Sequence, residues 1–137
     1  MQTLRTFMVT LVSLVAVGCD PIPYARVELA PAPPALSRHG QPIDEMSARV
    51  LVRHGFVVRS APCLGAGRGY RREVTDSTGQ SSESVALNAC VLLQGRDPHV
   101  WFNEERFATA LAPSSAEIVH ELADSLRLVA RVRVRTR

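Results

Sequence analysis

The 137-residue chain has no lysine; all sixteen of its basic residues are arginine. Without a lysine there is no P-loop, and the arginine bias is by itself weak evidence for nucleic acid. Aromatic residues make up only 5% of the chain, with a single tryptophan, Trp101. Three cysteines are too few for a disulfide-dense miniprotein. No apolar run approaches the ~20 residues a membrane-spanning helix needs. No serine sits in a G-x-S-x-G elbow. What is present is ordinary globular material. The hydrophobic content of 46% excludes wholesale disorder, and the length suits one small domain.

The first nineteen residues read as an address. Arg5 precedes an apolar run over residues 7–17, interrupted only by Thr10 and Ser13. That length fits a signal-peptide core and is too short to span a bilayer. The run ends in Ala16-Val17-Gly18-Cys19, which resembles the lipobox of bacterial lipoproteins over about the first 20 residues. The resemblance implies cleavage between Gly18 and Cys19 and a diacylglycerol thioether on Cys19. It also implies a protein exported to the bacterial envelope and held there by acyl chains such as palmitate. Asp20 after the cysteine is the residue that, in some Gram-negative lipoproteins, favours the inner membrane. An ordinary secretory signal cut elsewhere is the alternative.

With Cys19 lipidated, Cys63 and Cys90 remain. In an oxidising compartment a bond between them is the natural inference. It would close a loop of 27 residues, worth about 3–4 kcal/mol on the chain-entropy model. Two free thiols are the competing reading.

Residues 20–42 hold six of the nine prolines. That density predicts an extended tether from Cys19 to residue 42, with a reach of roughly 70 Å. The folded domain is expected over residues 43–130. Asp44 is a candidate N-cap for a helix running to His54, and Gly55 a Schellman stop with Phe56 folding back on Leu51. A first strand is expected at residues 56–59 and a second at 70–74, with a polar turn over 75–84. The strongest strand, 85–94, puts Val85, Leu87, Ala89, Val91 and Leu93 on one face, and Asn88 and Cys90 on the other. Residues 99–103 should return antiparallel beside it; residues 104–112 are ambiguous between helix and strand. A last helix should start at a Ser114–Glu117 capping box and bury Ile118, Leu122, Leu126 and Val129. The expected fold is α+β: two helices on one face of a three- or four-stranded, mainly antiparallel sheet.

The chemistry-bearing candidates are few. His120-Glu121-Leu122-Ala123-Asp124 partly resembles the H-E-x-x-H zinc helix, but Asp124 replaces the second histidine and no third ligand is evident. The loop Gly65-Ala66-Gly67-Arg68-Gly69 lacks the helix a phosphate cradle requires. Glu104 and Glu105 are adjacent, so their side chains diverge. These features predict no catalytic residues, no metal and no cofactor. Residues 131–137 carry four arginines at alternate positions, which suits a charged edge strand, a frayed tail or a contact with anionic lipid. Trp101 packs over the disulfide or forms a ligand patch with Tyr70. The leading functional expectation is a non-enzymatic, lipid-anchored interaction module with an envelope protein partner and no nucleic acid. The alternative is a small-ligand or glycan binder on the open sheet face around Trp101 and Tyr70.

Overall fold

The computed structural model describes residues 22–30, 33–78, 81–105 and 110–137; the side chains of residues 33–41 and 74–84 are not described. The expected leader and Cys19 therefore lie outside the described residues. Among the described residues no helix is long and apolar enough to cross a membrane.

The fold is α+β. The elements run β1 (Tyr24–Leu29), α1 (Pro33–Arg53), β2 (Val57–Val58), β3 (Arg68–Thr78), β4 (Ser81–Leu92), β5 (His99–Glu105), α2 (Pro113–Leu126) and β6 (Val132–Thr136). Six strands form one sheet in the order β2-β3-β4-β5-β1-β6, with every neighbouring pair antiparallel. The expected three or four strands fell short because β1 lay in the segment read as tether and β6 in the one read as either edge strand or tail.

Three local patterns explain the difference. Tyr24–Leu29 alternates strictly, and Ala25, Val27 and Leu29 are buried while the residues between them are not. The prolines flank this strand rather than interrupt it. Pro23 is buried just before β1, and Pro33 opens α1, where its missing amide would have had no intrahelical partner. Residues 24–29 and 33–42, expected as part of an extended tether, are instead strand and helix: β1 sits between β5 and β6, and α1 starts ten residues before Ile43. Asp44, expected as an N-cap, lies inside α1 and pairs with Arg68 at 3.5 Å. The expected polar turn over 75–84 is also corrected. The hairpin continues in register from Arg68↔Val91 to Thr78↔Ser81, so most of that segment is strand.

The stop of α1 follows the expected geometry. Gly55 adopts φ +82°, the Phe56 amide donates to the Leu51 carbonyl at 3.1 Å, and the Gly55 amide to Val52 at 3.0 Å. Those are the paired bonds of the Schellman motif, and Leu51 and Phe56 are both buried in the core cluster. The start of α2 differs from expectation. The N-cap is Ala112 and makes no side-chain capping bond, so the Ser114–Glu117 box does not form. Instead the Glu104 carboxylate reaches from β5 to accept the Ala112 amide at 2.7 Å. The helix ends at Leu126, leaving Val129 outside it and 39% exposed.

Both helices lie on one face of the sheet. Leu51, Val50 and Ile43 of α1 join Ile118, Val119, Leu122 and Leu126 of α2 over Val27, Tyr70, Leu87, Ala89, Val91, Val100 and Phe102. Leu93 and Val134 pack at the margin of this core. Glu121 ties the helices together, meeting Arg53 and His54 at the end of α1. Among the described residues the opposite face carries no helix.

Candidate functional site

The uncovered face is built by strand alternation and register. Cys90 stands opposite Gly69 on one side and Trp101 on the other; Asn88 stands opposite Arg71 and Asn103. Residues paired across antiparallel strands share a face, so Gly69, Cys90, Trp101 and Arg26 form one row. Arg71, Asn88, Asn103 and Tyr24 form the next.

The Cys63–Cys90 disulfide forms, with Cα atoms 5.9 Å apart. It clamps the loop before β3 onto this face. The loop turns through Leu64 (φ 48°) and Gly65 (φ 84°), and Cys63 and Gly67 exchange backbone hydrogen bonds of 3.0 and 2.8 Å. Gly67 is required by close approach: a Cβ there would lie 2.7 Å from the Cys90 Sγ, 2.9 Å from the Cys63 Sγ and 3.0 Å from the Val91 carbonyl. Of the glycines of this loop, Gly67 makes room for the disulfide.

Beside the disulfide lies a shallow depression of about 210 Å³, bordered by Arg59, Asn88, Trp101 and Asn103. One rim is fixed by Arg71, whose guanidinium makes a bidentate pair with Glu105 at 2.8 and 3.2 Å, while Asn88 donates to the same carboxylate at 2.9 Å. Those bonds hold the Glu105 carboxyl below its usual range, Arg71 first and Asn88 next. The Asn103 Oδ1 is sheltered from solvent and has no hydrogen-bond partner among the described residues. Further along the face, Arg26 meets Asp97 and lies 3.3 Å from the His99 Nδ1.

Trp101 and Tyr70 both border the depression, but the Tyr70 ring is not exposed beside Trp101. Tyr70 pairs with Ala89 and points into the core under the helices, where it is fully buried. Its hydroxyl has no hydrogen-bond partner among the described residues, and burial pushes its pKa up despite the nearby Arg68. Trp101 is half-buried on the opposite face, facing Cys90. The correction is one of register: Tyr70 pairs with a core residue of β4, a fact that no pattern within either strand contains.

The remaining sequence candidates find structural partners. Glu121 is held by Arg53 and His54, Asp124 by Arg127, and His120 is exposed. Among the described residues no three His, Cys, Asp or Glu side chains gather where they could hold a metal. Glu104 is buried toward α2, whereas Glu105 faces out to Arg71, so the two carboxylates share no site. Arg26, Arg59 and Arg71 had gone unnoticed. Arg26 fell in the supposed tether, and the other two acquire their place only through strand pairing. No family model, curated protein or solved structure matches the chain.

Proposed function

We propose that the chain is a lipid-anchored protein of the bacterial cell envelope whose α+β domain works without catalysis, as an interaction module that meets an envelope protein through its uncovered sheet face. The observation that carries the partner reading is the asymmetry of the sheet. One face is fully occupied by α1 and α2, and the other offers a half-buried Trp101 beside Asn88, Asn103 and the Arg71–Glu105 pair. An aromatic anchor ringed by amides and a fixed ion pair has the make-up of a protein-contact patch. The anchor rests on the Ala16-Val17-Gly18-Cys19 resemblance, and the disulfide accords with an oxidising compartment.

The glycan or small-ligand reading draws on the same depression. Its volume of about 210 Å³ falls below the ~300–1,000 Å³ of small-molecule sites, which favours the flatter protein contact. The removal of the Tyr70 ring from the face also takes away the partner that reading paired with Trp101.

Two measurements test the proposal. Cells fed labelled palmitate should label the wild-type chain, and Cys19→Ala should abolish the label; an unlabelled wild type ends the anchor reading. A photo-crosslinker at position 88 should give a discrete adduct in envelopes that is lost with Trp101→Ala, while one at exposed Glu117 on α2 should give none. Equal adducts from both faces, or none from position 88, overturn the partner reading. A Trp101 fluorescence shift on titration with envelope glycans would move the assignment to the ligand reading.

A further inference from the structure

The arginine-rich segment 131–137 is neither frayed nor buried: it is the outer strand of the sheet. In β6, Val132 and Val134 pack toward the core, and Arg133 and Arg135 are exposed on the uncovered side. The hydrogen bonds extend past the strand at both ends. The Ala30 amide donates to the Arg131 carbonyl at 2.9 Å, and Tyr24 and Arg137 exchange bonds of 3.3 and 3.0 Å. This phase turns the backbone groups of the four arginines inward to β1 and holds their side chains in one row about 20 Å long. Only Arg135 has an ion-pair partner among the described residues, Glu28 at 3.2 Å; Arg131, Arg133 and Arg137 have none.

A second observation frames this row. Exposed apolar side chains stand near its two ends: Ile22, 61% exposed, two residues before β1, and Leu128 and Val129, 82% and 39% exposed, in the turn entering β6. Unpaired cations in line with exposed aliphatic groups match the charge and polarity of a bilayer interface. The backbone reinforces the placement. Cys19 is five residues before Tyr24, a reach of at most about 18 Å, and Tyr24 is bonded to Arg137.

We propose that the β6 edge is a membrane-apposed surface, at which Arg131, Arg133 and Arg137 bind the headgroups of anionic phospholipids while Leu128 and Ile22 enter the interface. The domain then stands edge-on. The depression by Trp101 lies near β4 and β5, two to three strand spacings or roughly 10–14 Å from the lipid, and stays open to a protein partner. The anchored reading supplies the orientation, but headgroup binding by the edge does not need the acyl chain.

The test is flotation of the full chain with vesicles of phosphatidylcholine alone or with phosphatidylglycerol added. The ratio between the two cancels what an acyl chain or leader contributes to both. Wild type should prefer the anionic vesicles strongly, and lose that preference as salt shortens the screening length. Each arginine at the surface is worth about fivefold, so R131Q/R133Q/R137Q should lower the preference by about two orders of magnitude. Leu128→Ser, at an exposed position, should weaken anionic binding several-fold with all charges kept. Cys19→Ser should leave the preference unchanged, which separates this result from the palmitate experiment. An equal affinity for both vesicle types, or a preference that survives the triple substitution in a protein of unchanged circular dichroism, overturns the proposal. So does a crosslink from position 133 to an acidic protein segment in place of lipid.

Discussion

Gly67 has the least room for a side chain of the glycines among the described residues. Three neighbours stand at 3.0 Å or less from where a Cβ would be, and one is the backbone carbonyl of Val91, which the β3–β4 ladder holds. Gly67→Ala must therefore displace the disulfide or the strand. A loss of about 1–3 kcal/mol is expected from overpacking of this kind, together with free thiol appearing in the oxidised protein. Gly69→Ala is the control, because its Cβ would meet neighbours at an ordinary 3.6 Å. Thermal melts and thiol titration of both variants check the contrast. Glu104 is the second decisive residue. Its fully buried carboxylate accepts the Ala112 amide at the start of α2, where the helix dipole favours negative charge. Glu104→Ala leaves that part-buried amide without its acceptor and should cost about 1–3 kcal/mol in urea unfolding. Glu104→Gln keeps an acceptor and should cost less.

At the scale of elements, the junction of α1 and α2 makes stability depend on pH. His54 is held below its ordinary value of 6.5, first by burial and then by Arg53 and Arg72, against a smaller upward pull from Glu117. The neutral ring donates its N–H to Glu121, whose charge Arg53 balances. Because the folded pKa is lowered, the unfolded chain takes up a proton more readily between the folded value and 6.5. Stability therefore rises with pH across that window, and the contribution falls away as pH drops through it. Melting temperature followed from pH 7 downward should decline there in the wild type and be flatter in His54→Gln. Loss of the Arg71–Glu105 pair adds a decline as pH falls below about 4.5, the usual glutamate value, since Glu105 is also held below it. Such elements were legible where the signal was local. The Gly55 stop, the apolar face of β4 and the return of β5 all follow from residues within a few positions of one another. The start of α2 was misread because its capping partner, Glu104, comes from another element. Trp101 and Tyr70 were misjoined because face-sharing between strands depends on register, which alternation within one strand does not determine.

For the molecule as a whole, the decisive reinterpretation concerns residues 20–42. Proline content suggested a spacer, yet the six residues of β1 lie between two proline groups and alternate cleanly, and the sheet uses them to join β5 to β6. Composition averages over that difference, whereas position preserves it. The consequence for the proposed anchor is geometric: β1 begins five residues after Cys19, so on the anchored reading the domain would stand close to the bilayer rather than up to roughly 70 Å away, and the β6 edge would be within reach of headgroups. Val27 tests this directly, because it is fully buried at the centre of β1, paired with Val100 and Val134. Val27→Asp places an unpaired carboxylate in the core and should unfold the domain or cost more than about 4 kcal/mol. Val27→Ala should cost about 1–3 kcal/mol through the cavity it leaves. Neither change would alter the melting of a domain merely suspended from this segment. Two variants that melt like wild type would thus remove β1 from the sheet, and with it the short link proposed between Cys19 and the arginine edge.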